Sequence, residues 1–297
     1  MYQIVTDGAW DMDSERAKAL DVAVVPFYVA TDGETYLKEI EERSVRDVYE
    51  FMVAHPNEYP KTAQPSVEDY LKTFEKYASQ GMDIICFCLS AKFTGSMNAA
   101  MIARDQILEQ FQNIKIEVLD STLATVMQGL MIQELVRFKR AGAAFEELIE
   151  KAKYLRDTAR IFFTVENMNY LIHGGRVGKL AGVAANVLNL RPMILMTQGE
   201  LFPMGLARGR VQSKKKAMEK LFSYIKENGN DPDKFAYIVG YGYDIEEGEK
   251  LREDARKHFE KTWPDKDVDI DISQIGMTIG VHTGPHPIGF GLIEKSC

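Results

Sequence analysis

The chain predicts an α/β fold, and three features carry that expectation. Short apolar runs alternate with helical patterns along its first half, as in a mostly parallel sheet covered by helices. The run Ile84-Ile85-Cys86-Phe87-Cys88-Leu89 ends in Ser90-Ala91-Lys92-Phe93-Thr94-Gly95-Ser96 and gives way to a helical pattern at Met97, which reads as strand, turn and helix. The texture then changes near residue 158. The 297 residues suit one large or two moderate domains, and we divide them into 1–157 and 158–297.

Taken in order, Gln3-Ile4-Val5 reads as a short strand followed by the acidic loop Thr6-Asp7-Gly8. Val22 to Val29 reads as a second strand, with Pro26 indicating an edge. Ser44 to Ala54 is helical. Tyr59 to Pro65 is a loop held open by two prolines, and Ser66-Val67-Glu68-Asp69 carries the N-cap signature of the next helix. After the strand and turn at 84–96, Ile114 to Leu119 is another strand. A helix then runs to Arg140, with Met127, Met131, Leu135 and Phe138 along its buried stripe. Phe145 to Asp157 is a helix and Ile161 to Val165 a strand. Gly174-Gly175 marks a turn, and Gln198-Gly199 joins two strands as a hairpin. Gln212 to Glu227 and Ile245 to Phe259 are helices; Phe235 to Tyr241 and Val268 to Ile272 are strands. The chain closes on a loop, Thr278 to His286. Thr6, Thr94 and Ser121 all follow strands and are expected along one rim, where ligands of such folds bind.

Composition narrows the function. The net charge is −8 and no long basic run occurs, which argues against nucleic acid as a partner. Lys214-Lys215-Lys216 reads as a solvated helix face. Cys86 and Cys88 share a strand face as small hydrophobes, Cys297 ends the chain, and no metal-binding spacing is present, as in a reducing compartment. Asp7, Asp11 and Asp13 interrupt the N-terminus too early for a secretory leader, and no apolar stretch reaches membrane-spanning length. A cytoplasmic protein is expected. Asp7 and Asp11 form a carboxylate pair that could hold a cation, although acidic loops are usually solvated. Neither a Walker loop nor a G-x-S-x-G elbow is found, and no catalytic triad is evident.

The turn at Thr94-Gly95-Ser96 precedes a helix N-terminus, where unpaired N–H groups favour an anion. Taken alone it reads more readily as a helix cap. Lys61 to Ser66, His173 to Arg176 and His282 to His286 also place small polar residues beside Gly or Pro.

In their order these loops resemble the DegV family of bacterial fatty-acid-binding proteins, along nearly the whole chain. The family's Thr-Asp-Ser segment corresponds to Thr6-Asp7-Gly8, and its Thr-Ser-Gln-Pro-Ser loop to Thr62-Ala63-Gln64-Pro65-Ser66. Its Ser-Ser-x-Leu-Ser-Gly-Thr turn corresponds to Ser90 through Ser96. Asp120-Ser121, Gly174-Gly175-Arg176, Arg191-Pro192-Met193-Ile194 and His282-Thr283-Gly284-Pro285-His286 follow in family order. The resemblance implies two α/β domains with one long, palmitate-like acyl chain in a tunnel between them. It implies a carboxylate held by Thr62 and Thr94, with the Gly95 and Ser96 N–H groups and His282 nearby, and no cofactor or metal. It also implies a lipid carrier rather than an enzyme, presenting the carboxylate to a separate fatty-acid kinase. A further reading, compatible with this one, makes Arg176, Arg208 and the Lys214–Lys216 cluster a docking face for that kinase. Ala63, Thr94, Gly8 and His286 depart from the family pattern. The rival reading is an enzyme acting on a small carboxylated or phosphorylated metabolite, with His282 as acid or base and Arg176 as anion clamp. A long apolar cavity favours the carrier and a short polar cleft the enzyme.

Overall fold

The computed structural model describes residues 1–182 and 189–296; Cys297, named above, lies outside them. The chain runs β1 (Tyr2–Asp7), α1 (Ser14–Leu20), β2 (Val22–Val25), β3 (Tyr28–Ala30), β4 (Leu37–Lys38), α2 (Val45–Ala54), β5 (Lys61–Ala63), α3 (Val67–Ala78), β6 (Asp83–Cys88), α4 (Ser96–Gln110), β7 (Ile116–Asp120), α5 (Thr125–Arg140) and α6 (Phe145–Thr158). It continues as β8 (Arg160–Thr164), α7 (Asn169–His173), β9 (Leu190–Thr197), β10 (Glu200–Arg208), α8 (Gly209–Glu227), β11 (Phe235–Tyr241), α9 (Ile245–Thr262), β12 (Ile270–Gln274), α10 (Met277–Thr283) and β13 (Ile288–Glu294).

Three sheets result. One is wholly parallel, in the order β2-β1-β6-β7. A larger mixed sheet has the order β10-β9-β8-β13-β11-β12, in which β11 and β12 pair in parallel and the other neighbours antiparallel. A small antiparallel sheet, β4-β3-β5, sits beside them. The mixed α/β class is therefore as expected. All strands of the parallel sheet precede residue 121, and all those of the larger sheet follow residue 159.

Several elements differ from their sequence readings, each for a local reason. Residues 22–29 are two strands, because Pro26 breaks the run and sends Tyr28–Ala30 into the small sheet. Lys61–Ala63, between the two prolines, is not open loop but pairs with β3 in the register Thr62↔Val29. Helix α5 is buried from Thr125 to Ile132, with Glu134, Leu135 and Val136 buried after it, rather than along one stripe. It packs against α6, the turn at residues 8–10, β11 and β13 together, so no face of its first two turns meets water. The closing segment contains a short helix, α10, and a central strand, β13, whose Gly289 and Gly291 weaken any strand pattern. Cys86 and Cys88 are buried, as expected, with sulfurs 3.9 Å apart. Lys214 and Lys215 form ion pairs with Glu247 and Glu219, and Lys216 donates to the Leu206 carbonyl, which absorbs the basic cluster locally. Among the described residues, no helix is long and apolar enough to cross a membrane.

Candidate functional site

A cavity of about 350 Å³ lies between the two larger sheets, within the usual size range of small-molecule sites. Its polar end is built from three parts of the chain. Strand β5 supplies Thr62, the turn after β6 supplies Thr94 and Gly95, and the last turn of α10 supplies His282. Residues 220 positions apart meet there: Thr62 Oγ1 and His282 Nε2 are 2.8 Å apart. The remainder of the wall is mainly apolar, with Phe163, Met196, Leu201, Ile275, Ile279 and Phe290 among its members.

The turn is fixed from beneath. Asp7, at the end of β1, accepts hydrogen bonds from the Leu89 N–H at 2.8 Å, the Ser96 hydroxyl at 2.8 Å and Gln128 Nε2 at 2.9 Å. Gln128 also donates to Thr6 Oγ1 at 3.0 Å and accepts from Ser121 at 3.4 Å, so two of the three rim residues meet through this buried glutamine. Asp7 and Asp11 are buried, which corrects the solvated reading of that loop. Burial raises the Asp7 carboxyl to about 6 and the Asp11 carboxyl to about 7.

Ser96 belongs to this foundation. It is fully buried, its hydroxyl bonds Asp7 and lies 2.6 Å from the Tyr70 hydroxyl, and its side chain turns away from the cavity. Thr94 lines the cavity and accepts the Ser96 N–H at 3.3 Å. Its hydroxyl reaches Gln64 Oε1 at 3.4 Å, a long contact easily exchanged for a better acceptor. Gly95 is the N-cap of α4 and makes no side-chain cap.

His282 is enclosed. A Cβ on Gly174 would fall 2.1 Å from its Nδ1, so only glycine lets the α7 turn close over the ring. Burial, with the Arg176 charge adding to it, lowers the imidazole to about 4, so the ring is neutral at pH 7. Arg176 lines the cavity and donates to two backbone carbonyls, Phe93 O at 3.2 Å and Gly174 O at 2.5 Å. It thereby fastens the α7 turn to the residue before Thr94. Among the described residues, it is the one charged side chain in the lining. Arg208 is exposed at the end of β10 and is not in that lining. His286 is also outside it: its carbonyl accepts from Arg210 at 2.7 Å and its ring meets Tyr243 edge-on.

Sequence reasoning did not select Gln64, Leu171 or Thr278, all of which line the cavity. The first stood in a quoted loop and could have been chosen for its proximity to Thr62. Leu171 and Thr278 lie on short helices whose faces become defined only by tertiary packing. Among the described residues, no cluster of three or more His, Cys, Asp or Glu side chains is arranged to hold a metal ion.

Comparison with known proteins gives these features a lineage. The family described as "Uncharacterised protein, DegV family" matches residues 1–295. A fatty acid-binding protein of Thermotoga maritima is 30% identical over 295 residues, covering 98% of this chain and 96% of that protein. The crystal structure of a stearic-acid-binding protein from Eubacterium ventriosum is 39% identical, with a TM-score of 0.92 over 100% of this chain and 99% of that one. A DegV lipid-binding protein from Thermotoga maritima superimposes with a TM-score of 0.82 at 27% identity, over 99% of both chains. With a matching family model over nearly its full length and a fold that superimposes on that of the stearic-acid-binding protein, this chain belongs to the DegV family.

Proposed function

We propose that this protein binds one long-chain, palmitate-like fatty acid between units 1–157 and 158–297. The observation that carries the reading is the asymmetry of the cavity: one cation, one neutral histidine and two threonines at one end, and a mainly apolar wall elsewhere. A carboxylate needs charge-assisted hydrogen bonds to leave water, and Thr62, Thr94, His282, Arg176 and the Gly95 N–H group supply donors of that kind. An acyl tail contributes roughly 0.8 kcal/mol per buried methylene, so the wall supplies most of the affinity. The stearic-acid-binding relative supports the same ligand class. An extended apolar wall also weighs against the enzyme reading, whose small polar substrate would leave most of it unfilled.

The protein acts in this reading as a cytoplasmic carrier that presents the carboxylate to a separate fatty-acid kinase. Arg176 stands at the polar end and Arg208 on the exposed end of β10, and we assign both to kinase docking. Native mass spectrometry of the purified protein tests the lipid, and palmitate and oleate titrations test the affinity. Absence of any acyl ligand, with no binding of either acid, overturns the reading. Acyl phosphate formation with a fatty-acid kinase tests presentation; normal turnover after charge reversal at both arginines removes them from the docking surface.

A further inference from the structure

The wall of the cavity contains threonines that a plain hydrocarbon chain does not need. Thr278 lies one turn before His282 on α10 and lines the same cavity. Its hydroxyl does not serve the cavity: it donates to Glu39 Oε2 at 2.7 Å. Glu39 is only 3% exposed, and its other oxygen, Oε1, accepts the Phe27 N–H at 2.8 Å. Thr125 repeats the arrangement. It lines the cavity, and its hydroxyl donates to Asp11 Oδ2 at 2.5 Å. Thr283, a third lining hydroxyl, donates to the Ile279 carbonyl at 3.0 Å.

The space for Glu39 is made by Gly8. A Cβ at that position would fall 1.6 Å from Glu39 Oε1, so any larger residue at 8 expels the carboxylate. Gly8 is also the place where this chain departs from the Thr-Asp-Ser pattern. Glycine and glutamate therefore form a matched pair behind the wall.

We propose that Glu39 is a positioning residue that sets which acyl chains the cavity accepts. As a carboxylate it takes the Thr278 hydroxyl proton out of the lumen and keeps that stretch of wall without a free donor. The protein thereby prefers an unsubstituted methylene chain to one bearing a keto oxygen, which can only accept, near the carboxyl end. This rests on the fatty-acid reading of the cavity.

The variant Glu39→Gln separates the possibilities because of its fixed chemistry. Its single carbonyl oxygen can serve the Phe27 N–H or the Thr278 hydroxyl, but not both. The backbone donor cannot turn away, so the amide NH₂ faces Thr278 and the threonine proton is released towards the lumen. Stearic acid and a set of monoketostearic acids, substituted at carbons from 3 to 12, are titrated at pH 8.5, where Glu39 is ionised, into wild type, Glu39→Gln, Gly8→Ser and Thr278→Val. Wild type is expected to prefer stearic acid. Glu39→Gln and Gly8→Ser shift the ratio towards a keto acid by about fivefold, the worth of one net hydrogen bond, with the gain largest for keto groups close to the carboxyl. Thr278→Val, which has no proton to release, retains the wild-type ratio. A purely structural role for Glu39 weakens every acid alike and leaves the ratio unchanged, and that result in Glu39→Gln overturns the proposal while the fatty-acid reading stands. A wild type that binds no stearic acid overturns both.

Discussion

The two halves of the cavity wall treat ionisable groups in opposite ways that serve the same end. At the polar end, burial pushes His282 down to about 4, so the ring is neutral. Beneath the turn at 94–96 burial pushes Asp7 up to about 6, and behind the apolar wall it pushes Asp11 and Glu39 up to about 7. One is a base and three are acids, yet each is shifted towards its uncharged form. Against that background Arg176 is the one full charge in the lining among the described residues, and a bound carboxylate would be the second. Under the proposed function, recognition of an anion is thus concentrated at one end, against a mainly apolar wall.

The largest consequence concerns stability against pH. The three carboxyls hold protons in the folded state that the unfolded chain releases from about pH 4 upward. Their contribution is complete below the unfolded values and is lost as pH rises through about 6 to 7. His282 works in the other direction: its neutral form is favoured on folding, and stability is lost as pH falls from 6.5 through about 4. His258 and His286, also lowered by burial, add to the histidine side. The carboxyls outweigh them, because Asp7, Asp11 and Glu39 are fully enclosed. Urea unfolding should give a stability higher at pH 5 than at pH 8 by on the order of 3 kcal/mol. Glu39→Gln should narrow that gap. Equal stabilities at the two pH values would show that the acids behind the wall are not held in their protonated forms.

The apolar half predicts the next effect. Shortening the ligand by four methylenes should cost about 3 kcal/mol in calorimetric titrations, with little change in which head group is accepted. A loss confined to a few tenths of a kcal/mol would mean that the tail is not enclosed by Phe163, Met196, Leu201 and Phe290. At the polar half, Arg176→Gln removes a cation that also fastens Phe93 to the α7 turn. We expect about 2 kcal/mol weaker binding of the ionised acid and little change for a fatty alcohol of the same length. Equal losses for acid and alcohol would assign Arg176 a structural role only.

These contrasts also show what the sequence could and could not convey. The strand–turn–helix at 84–97 and the capping box at Ser66 were legible because the signals are local, and the structure has both. The polar end was legible through Thr62, Thr94 and His282 only as loops in a familiar order; their meeting depends on α10 packing against the small sheet. The wall was nearly invisible. Strand β13 carries two glycines, and α5 is buried on more than one face, so neither has the expected period. Glu39 stands in the run Glu39-Ile40-Glu41-Glu42, which reads as a solvated acidic loop, and nothing local distinguishes the one member that is buried.

The smallest effect divides the two threonines of the polar end. Thr62 lies 2.8 Å from His282, whose Nδ1 already has no partner. Thr62→Val therefore leaves the ring without a partner on either nitrogen as well as removing a hydroxyl from the ligand, and should weaken binding by about 2 kcal/mol. Thr94 makes only a 3.4 Å contact to Gln64, a side chain exposed to solvent, so water can replace what it supplies. Thr94→Val should weaken palmitate binding by about 1 kcal/mol, and with each hydroxyl on its own carboxylate oxygen and no shared partner within the protein the two losses should be close to additive. A double mutant losing much less than the sum would show both hydroxyls bound to a single carboxylate oxygen. A Thr94→Val protein with wild-type affinity would remove Thr94 from the site and leave the carboxylate to Thr62, His282 and Arg176.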